Sequence, residues 1–331
     1  MSTDVLDIVP VIEDSQPCTD DEIVHMFLET CTGSRYTYRN YQRAIQLFKS
    51  FLGGKRLDEA TWRDLEIYKN GLIQGRYSKQ NKPQSPATVA SLIAPLRSLY
   101  KWGSNPDIAI FQHNPTSSVR TPKVTVTSRN HYLTKNEVLR LLDQLRMQGM
   151  RDYLIGLTLL LLGLRVSEAA ALRWDEFHTD PYETMIWATV SKGKGGKPRE
   201  VKVPDSLWQT LNEYRRIIRP SQTDRVFPLT TRQIERIIQT ARDKCQIDKK
   251  VTPHWLRHTN ATLALLHGAS LQQVQDNLGH SQINTTQRYL HTVEQMNKAA
   301  PDYVEDSLKD HIAAYRSRAK TMNPSRRPVI E

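Results

Sequence analysis

Cysteine is scarce. Three residues in 331, at positions 18, 31 and 245, are odd in number and far apart. They make neither a disulfide framework nor a zinc pattern, so a reducing cytoplasm is the expected location. Long apolar runs are also lacking. The longest mainly apolar stretch, Tyr153 to Leu164, is interrupted by Gly156, Thr158 and Gly163. It falls short of the ~20 residues that a membrane span needs. The chain has no basic-then-apolar start of the signal-peptide kind, and no membrane partner is expected. Glycine (14) and proline (17) are too few for collagen-like or low-complexity material, while 38% hydrophobic and 24% charged residues suit a globular chain. Its length fits about two domains.

Charge is unevenly placed. Residues 1–30 hold eight acids and no Lys or Arg, a charge of −8. With +11 for the whole chain, the remaining residues carry +19. So basic a body points first to nucleic acid, then to an anionic membrane surface, then to simple solubility.

Periodicity sets the organisation. Residues 1–20 read as an acidic flexible leader. Ile23, Phe27 and Leu28 then share one helix face. Further helices are expected at about Thr37–Leu52, ended by Gly53-Gly54, at Leu57–Leu72, and at Pro86–Trp102, where Pro95 is placed to bend the chain. Residues 103–130 change character, with prolines at 106, 115 and 122 and basic Lys123 and Arg129. Helical spacing resumes after Thr134, a candidate cap for Val138, Leu139, Leu141 and Leu142. Strand features occupy Thr184–Val190 and Arg199–Val203, with a Lys-Gly-rich connection, and helices follow at 205–217, at 231–246 and beyond Pro253. The expected division is a leader at 1–20, a helical domain at 21–112, a linker at 113–130, a second domain at 131–312 and a basic flexible tail at 313–331. The fold class is mainly α with a small antiparallel β-sheet.

Four features of the second domain bear on chemistry. Gly163-Leu164-Arg165-Val166-Ser167-Glu168 puts an arginine where an apolar helix meets a polar turn, with Glu168 three residues on. Ser191-Lys192-Gly193-Lys194-Gly195-Gly196-Lys197-Pro198-Arg199 forms a basic, glycine-rich hairpin tip that can enter a DNA groove or reach a phosphate. Thr252-Pro253-His254-Trp255-Leu256-Arg257-His258 sets His254 and Arg257 three apart at a Pro-started helix, a ready anion site. Leu278-Gly279-His280 is followed by Thr285-Thr286-Gln287-Arg288-Tyr289-Leu290-His291. Each alone has an ordinary structural explanation: a helix-end salt bridge, a solvated turn, a cap, a core tyrosine.

In this order, the four features resemble the tyrosine recombinase (phage integrase) family, most strongly from Leu133 to His291. The stretch from His254 through Tyr289 resembles its Xer-like chromosome-dimer resolvases in particular, and the amino-terminal helices resemble the family's core-binding (SAM-like) domain. The resemblance implies Arg165 and Arg257 as catalytic arginines, with Glu168 supporting the first. It implies His254 and His280 as the two histidines, Tyr289 as nucleophile, and Lys194 as donor of a proton to the leaving 5′ oxygen. Lys192 is the alternative lysine, because the hairpin carries an extra Lys-Gly unit.

That set suits the chemistry. Attack on a phosphodiester builds negative charge, which arginine forks can meet. A free phenol has a pKa of ~10, so roughly 0.1% is ionised at pH 7, and Tyr289 needs a positive site or a proton acceptor. By family analogy His254 is the acceptor. The expected product is a 3′-phosphotyrosyl bond with a free 5′-hydroxyl, resealed without ATP. No cluster has metal-ligand spacing, and arginines can replace a two-metal clamp, so no cofactor and activity in chelator are expected. Expected partners are duplex DNA recombination sites, three further copies in a DNA-assembled homotetramer, and an accessory protein or second recombinase. Integration and excision of a mobile element is the first expected role, Xer-type resolution of chromosome or plasmid dimers the second, and a catalytically silent DNA-binding relative the third.

Overall fold

The structure is a computed structural model. It describes residues 18–31, 35–77, 81–124, 131–191, 198–280, 286, 287, 289 and 300–321. The chain divides into two compact units, Met1–Val126 and Thr127–Glu331.

The first unit is helical among its described residues: α1 (Asp20–Thr30), α2 (Arg35–Leu52), α3 (Trp62–Gln74) and α4 (Pro86–Gly103). Caps set the ends. Thr19 and Glu22 form a reciprocal capping box at α1, Thr61 and Asp64 do so at α3, and Ser85 caps α4 ahead of Pro86. The Thr61 cap starts α3 later than the expected Leu57. Leu57 instead lies fully buried in the preceding turn, where its N–H donates to Asp20. Pro95 sits inside an uninterrupted α4. Ile45, Phe48, Leu65, Ile93 and Leu96 line the core. Part of the stretch expected as linker packs on this unit: Thr116 and Val119 are buried, the Val119 carbonyl accepts from Arg97, and the Arg120 carbonyl accepts from Lys69 Nζ at 3.0 Å.

The second unit opens with α5 (Lys135–Gln148), begun by the Thr134–Glu137 capping box, and α6 (Met150–Leu161). A short α7 (Val166–Ala171) leads through a 3-10 turn to β1 (Phe177–Thr179), β2 (Ile186–Val190) and β3 (Arg199–Val203). The sheet is antiparallel in the order β1-β2-β3, with Ala188 opposite both Phe177 and Val201. The expected sheet thus gains a strand of three residues, too short to show alternation in the sequence. Then follow α8 (Asp205–Ile218), α9 (Thr231–Lys244), α10 (Pro253–Leu266), α11 (Leu271–Leu278) and α12 (Ala300–Thr321). α12 extends into the stretch expected as a flexible tail, where Ala, Arg and Lys favour helix. No helix among the described residues is long and apolar enough to cross a membrane.

One core joins α5 and α6 to the sheet, α8 and α9 through Leu141, Leu159, Trp174, Val201, Leu207 and Ile238. A smaller cluster gathers Ala261, Leu265, Val274, Leu278 and Tyr289. Leu141 is completely buried. Leu141→Ala is expected to cost about 2–5 kcal/mol, the usual range for a core leucine, read as a lower urea midpoint for the second unit.

Candidate active site

The centre of the site is one carboxylate. Glu168 lies in the first turn of α7, and its side chain is fully buried. It accepts from the Arg165 backbone N–H at 2.8 Å and from Arg165 Nη1 at 2.6 Å. Arg199, the first residue of β3, grips both carboxylate oxygens, at 3.0 and 2.9 Å. Arg257 Nη1 stands 3.8 Å away. Burial raises the Glu168 carboxyl, but the Arg199 fork and the Arg165 hydrogen bonds outweigh it, and its pKa falls below the ordinary value of 4.5. The carboxylate is therefore charged at neutral pH.

Two glycines make this geometry possible. Gly163, at φ +61°, turns the chain from α6 into Arg165, and a Cβ there would stand 2.7 Å from Asn260 Oδ1 and 2.8 Å from a Leu278 methyl. Gly279, at φ +63°, ends α11, and its Cβ would meet Arg199 Cδ at 2.7 Å. Both positions favour a left-handed backbone and leave no room for a side chain. The same two corners hold Arg257. Its Nη1 donates to the Gly163 carbonyl at 2.6 Å and its Nη2 to the Leu278 carbonyl at 2.5 Å. Burial, then Arg165, pulls the Arg257 guanidinium down to about 9, which still leaves it cationic at pH 7.

The histidines gather around these cations. His254 sits in the first turn of α10, exposed at its rim. Its pKa is lowered by burial of part of the ring, then by Arg257, Arg165 and His131. His280 follows Gly279. Its Nδ1 is 2.9 Å from Thr286 Oγ1, and burial followed by Arg257 and Arg165 pushes it down to about 4. Tyr289 is buried, and its phenol oxygen stands 2.5 Å from His258 Nδ1. Arg257 feels the tyrosine electrostatically.

The structure therefore brings together Arg165, His254, Arg257, His280 and Tyr289, with Glu168 behind the arginines. Lys194 and its alternative Lys192 lie outside the described residues. Arg199 and His258 were not among the candidate site residues, though both lie within the motifs. The spacing of four from His254 to His258, one helical turn, was the available signal for the second. Among the described residues no group of His, Cys, Asp or Glu is placed to hold a metal ion.

The phage integrase family model matches residues 131–296, half of the chain. A tyrosine recombinase XerD of Lacticaseibacillus casei is 32% identical over 279 residues, 79% of this chain and 89% of that protein. The chain belongs to the phage integrase family. Another relative, a tyrosine recombinase of Pseudothermotoga lettingae, is 33% identical over 66% of this chain and 76% of its own length. Tyrosine recombinase XerC of Bacillus subtilis is 28% identical over 80% and 88%. Among solved structures, a lambda integrase tetramer bound to a Holliday junction aligns with TM-score 0.65 at 18% identity, covering 83% of this chain and 78% of that one. The Tn1549 transposon integrase in complex with transposon right end DNA aligns at TM-score 0.61 and 16% identity, covering 88% and 99%. These likenesses establish a shared fold, mainly helical with a small antiparallel sheet.

Two predictions follow from the geometry. Glu168→Ala leaves buried arginines without their counter-charge and is expected to cost about 3–5 kcal/mol, seen as a lower urea midpoint. The folded pKa values of His258, about 3, and His280, about 4, lie below the ordinary 6.5. Below pH 6.5 the unfolded chain thus binds more protons than the folded one. Stability is full above that pH and is lost progressively as pH falls through about 4 to about 3. Chemical denaturation at stepped pH is expected to show this slope, and His280→Asn to flatten it.

Proposed function

We propose that the protein is a site-specific DNA recombinase that cuts and rejoins duplex DNA through a covalent 3′-phosphotyrosyl intermediate. The observation that carries this reading is the gathering of Arg165, Arg257, His254 and His280 around one point, next to the phenol of Tyr289. Two fixed guanidinium groups and two histidines suit a phosphate whose charge grows during attack.

In the proposed reaction Arg165 and Arg257 hold the nonbridging oxygens of the scissile phosphate. Glu168, itself held by Arg199, fixes Arg165, so little reorganisation is needed as charge develops. His254 and His280, neutral near pH 7 because their pKa values are depressed, donate hydrogen bonds or pass protons. The Tyr289 oxygen bonds to phosphorus as its proton passes to His254, the acceptor that the family resemblance assigns. The bond from phosphorus to the 5′ oxygen breaks, and Lys194 supplies the proton that this oxygen takes up. A 5′-hydroxyl from another duplex reverses the step and reseals the strand. Each exchange consumes one phosphodiester and makes one, so no nucleotide energy source is needed.

The substrate is duplex DNA, and the working form is a homotetramer assembled on two sites. Lambda integrase forms such a tetramer on a Holliday junction. The first cellular role proposed is integration and excision of a mobile element. The second is resolution of replicon dimers. It is favoured by relatives named XerD and XerC that match about four fifths of the chain.

The test is to incubate the protein with sheared DNA of its source organism in EDTA, denature, and sequence the DNA left attached. Adducts are expected from the wild type and none from Tyr289→Phe. Sites at mobile-element ends support the first role, and sites at a replication terminus or plasmid resolution locus the second. Absence of adducts despite tight DNA binding, also when a cell extract of the source organism supplies partner proteins, overturns the enzymatic reading. If about eight phosphates are neutralised, the logarithm of the binding constant should fall against that of salt with a slope of about −7, measured by fluorescence anisotropy on the recovered site.

A further inference from the structure

We propose that His258 is a positioning residue for the nucleophile: its neutral Nδ1 takes the hydrogen bond of the Tyr289 phenol and so turns the oxygen's lone pairs toward the phosphate. This rests on the recombinase reading above and deepens it, because the resemblance to the family assigned the phenol's proton to His254.

The argument begins with placement. His254 and His258 are one turn apart on α10, their ring centres 4.3 Å apart in an edge-on arrangement. The Tyr289 ring centre is 5.3 Å from that of His258, and its hydroxyl is 2.5 Å from Nδ1. The tyrosine ring packs with Ala261, Leu265, Val274 and Leu278, so the wall of α10 and α11 fixes its body while His258 fixes its tip. A phenol carries one proton. When that proton points at an imidazole nitrogen, it is directed away from the oxygen's lone pairs.

This requires His258 to be neutral with its proton on Nε2, since an imidazolium has no acceptor. The surroundings enforce neutrality. His254 and Arg257 on its own helix, His131 ahead of α5 and His280 after α11 all face it, and Tyr289 brings no charge while protonated. Burial first, then the fields of His254, His131, Arg257 and His280, push His258 down to about 3. The nitrogen thus stays an acceptor throughout the range of about pH 5 to 8 in which an ordinary histidine titrates.

Two measurements decide the matter. In the first, nuclear magnetic resonance of protein carrying isotope-labelled histidine reads the tautomer of His258 without any DNA. The expected result is an Nε2–H tautomer that does not titrate down to about pH 5, with an Nδ1 signal that moves on Tyr289→Phe. Titration near the ordinary histidine value, or an Nδ1 signal indifferent to Tyr289→Phe, overturns the proposal. This readout holds even if no DNA adduct is found, an outcome that would sink the recombinase reading alone.

In the second, the recovered DNA site is used as a nicked duplex and single-turnover cleavage is followed. His258→Ala is expected to slow cleavage about 100-fold, the scale on which a misplaced nucleophile acts, with DNA affinity unchanged. His258→Asn, which restores an acceptor near the Nδ1 position, is expected to recover most of the rate. Wild-type or faster cleavage by His258→Ala overturns the proposal. So does an Asn variant no better than Ala when both are folded, because a purely space-filling role gives that pattern.

Discussion

The buried carboxylate of Glu168 is the interaction on which the rest of the site depends. Like charges do not assemble unaided. Arg165, Arg199 and Arg257 come from a helix start, a strand start and a helix interior, and their mutual repulsion in a poorly hydrated interior is large. Glu168 offsets it by accepting from two of them and facing the third. Its own burial penalty is met by the same hydrogen bonds, so neither side of the network is stable without the other. A cluster of cations with fixed geometry results.

Around that centre the fold uses backbone carbonyls as further anchors. Arg257 is held by the carbonyls of Gly163 and Leu278, which lie at two tight corners, and Arg199 Nε donates to the Asn277 carbonyl. Asn260, from the middle of α10, donates to the carbonyls of Leu160 and Leu161 at the end of α6. Helix ends that would otherwise leave carbonyls unpaired are thereby tied to arginine and asparagine side chains. Burial, then the surrounding positive charge, depresses His254, His258 and His280, which favours their neutral forms at pH 7.

Much of the fold was legible along the chain. Thr134 before an apolar period marked the start of α5 and Pro253 the start of α10, because caps are local properties. The start of α3 was misplaced because Leu57 continues the apolar spacing while it packs from a turn, and periodicity does not distinguish the two. β1 was missed because three residues carry too little pattern. At the site, Arg165, His254, Arg257, His280 and Tyr289 were each marked by a motif. Arg199 and His258 stood inside those motifs without a role.

The sequence by itself determined the ordered motifs, the basic body, the helix caps and the glycines at the two corners. These are set by residue type and short spacing. Only the tertiary structure decided who touches whom. That Glu168 serves arginines from three separate segments, and that the Tyr289 hydroxyl meets His258 across 31 residues of chain, are facts of packing. Local periodicity says which face of a helix is buried, but not which distant side chain will be there to meet it.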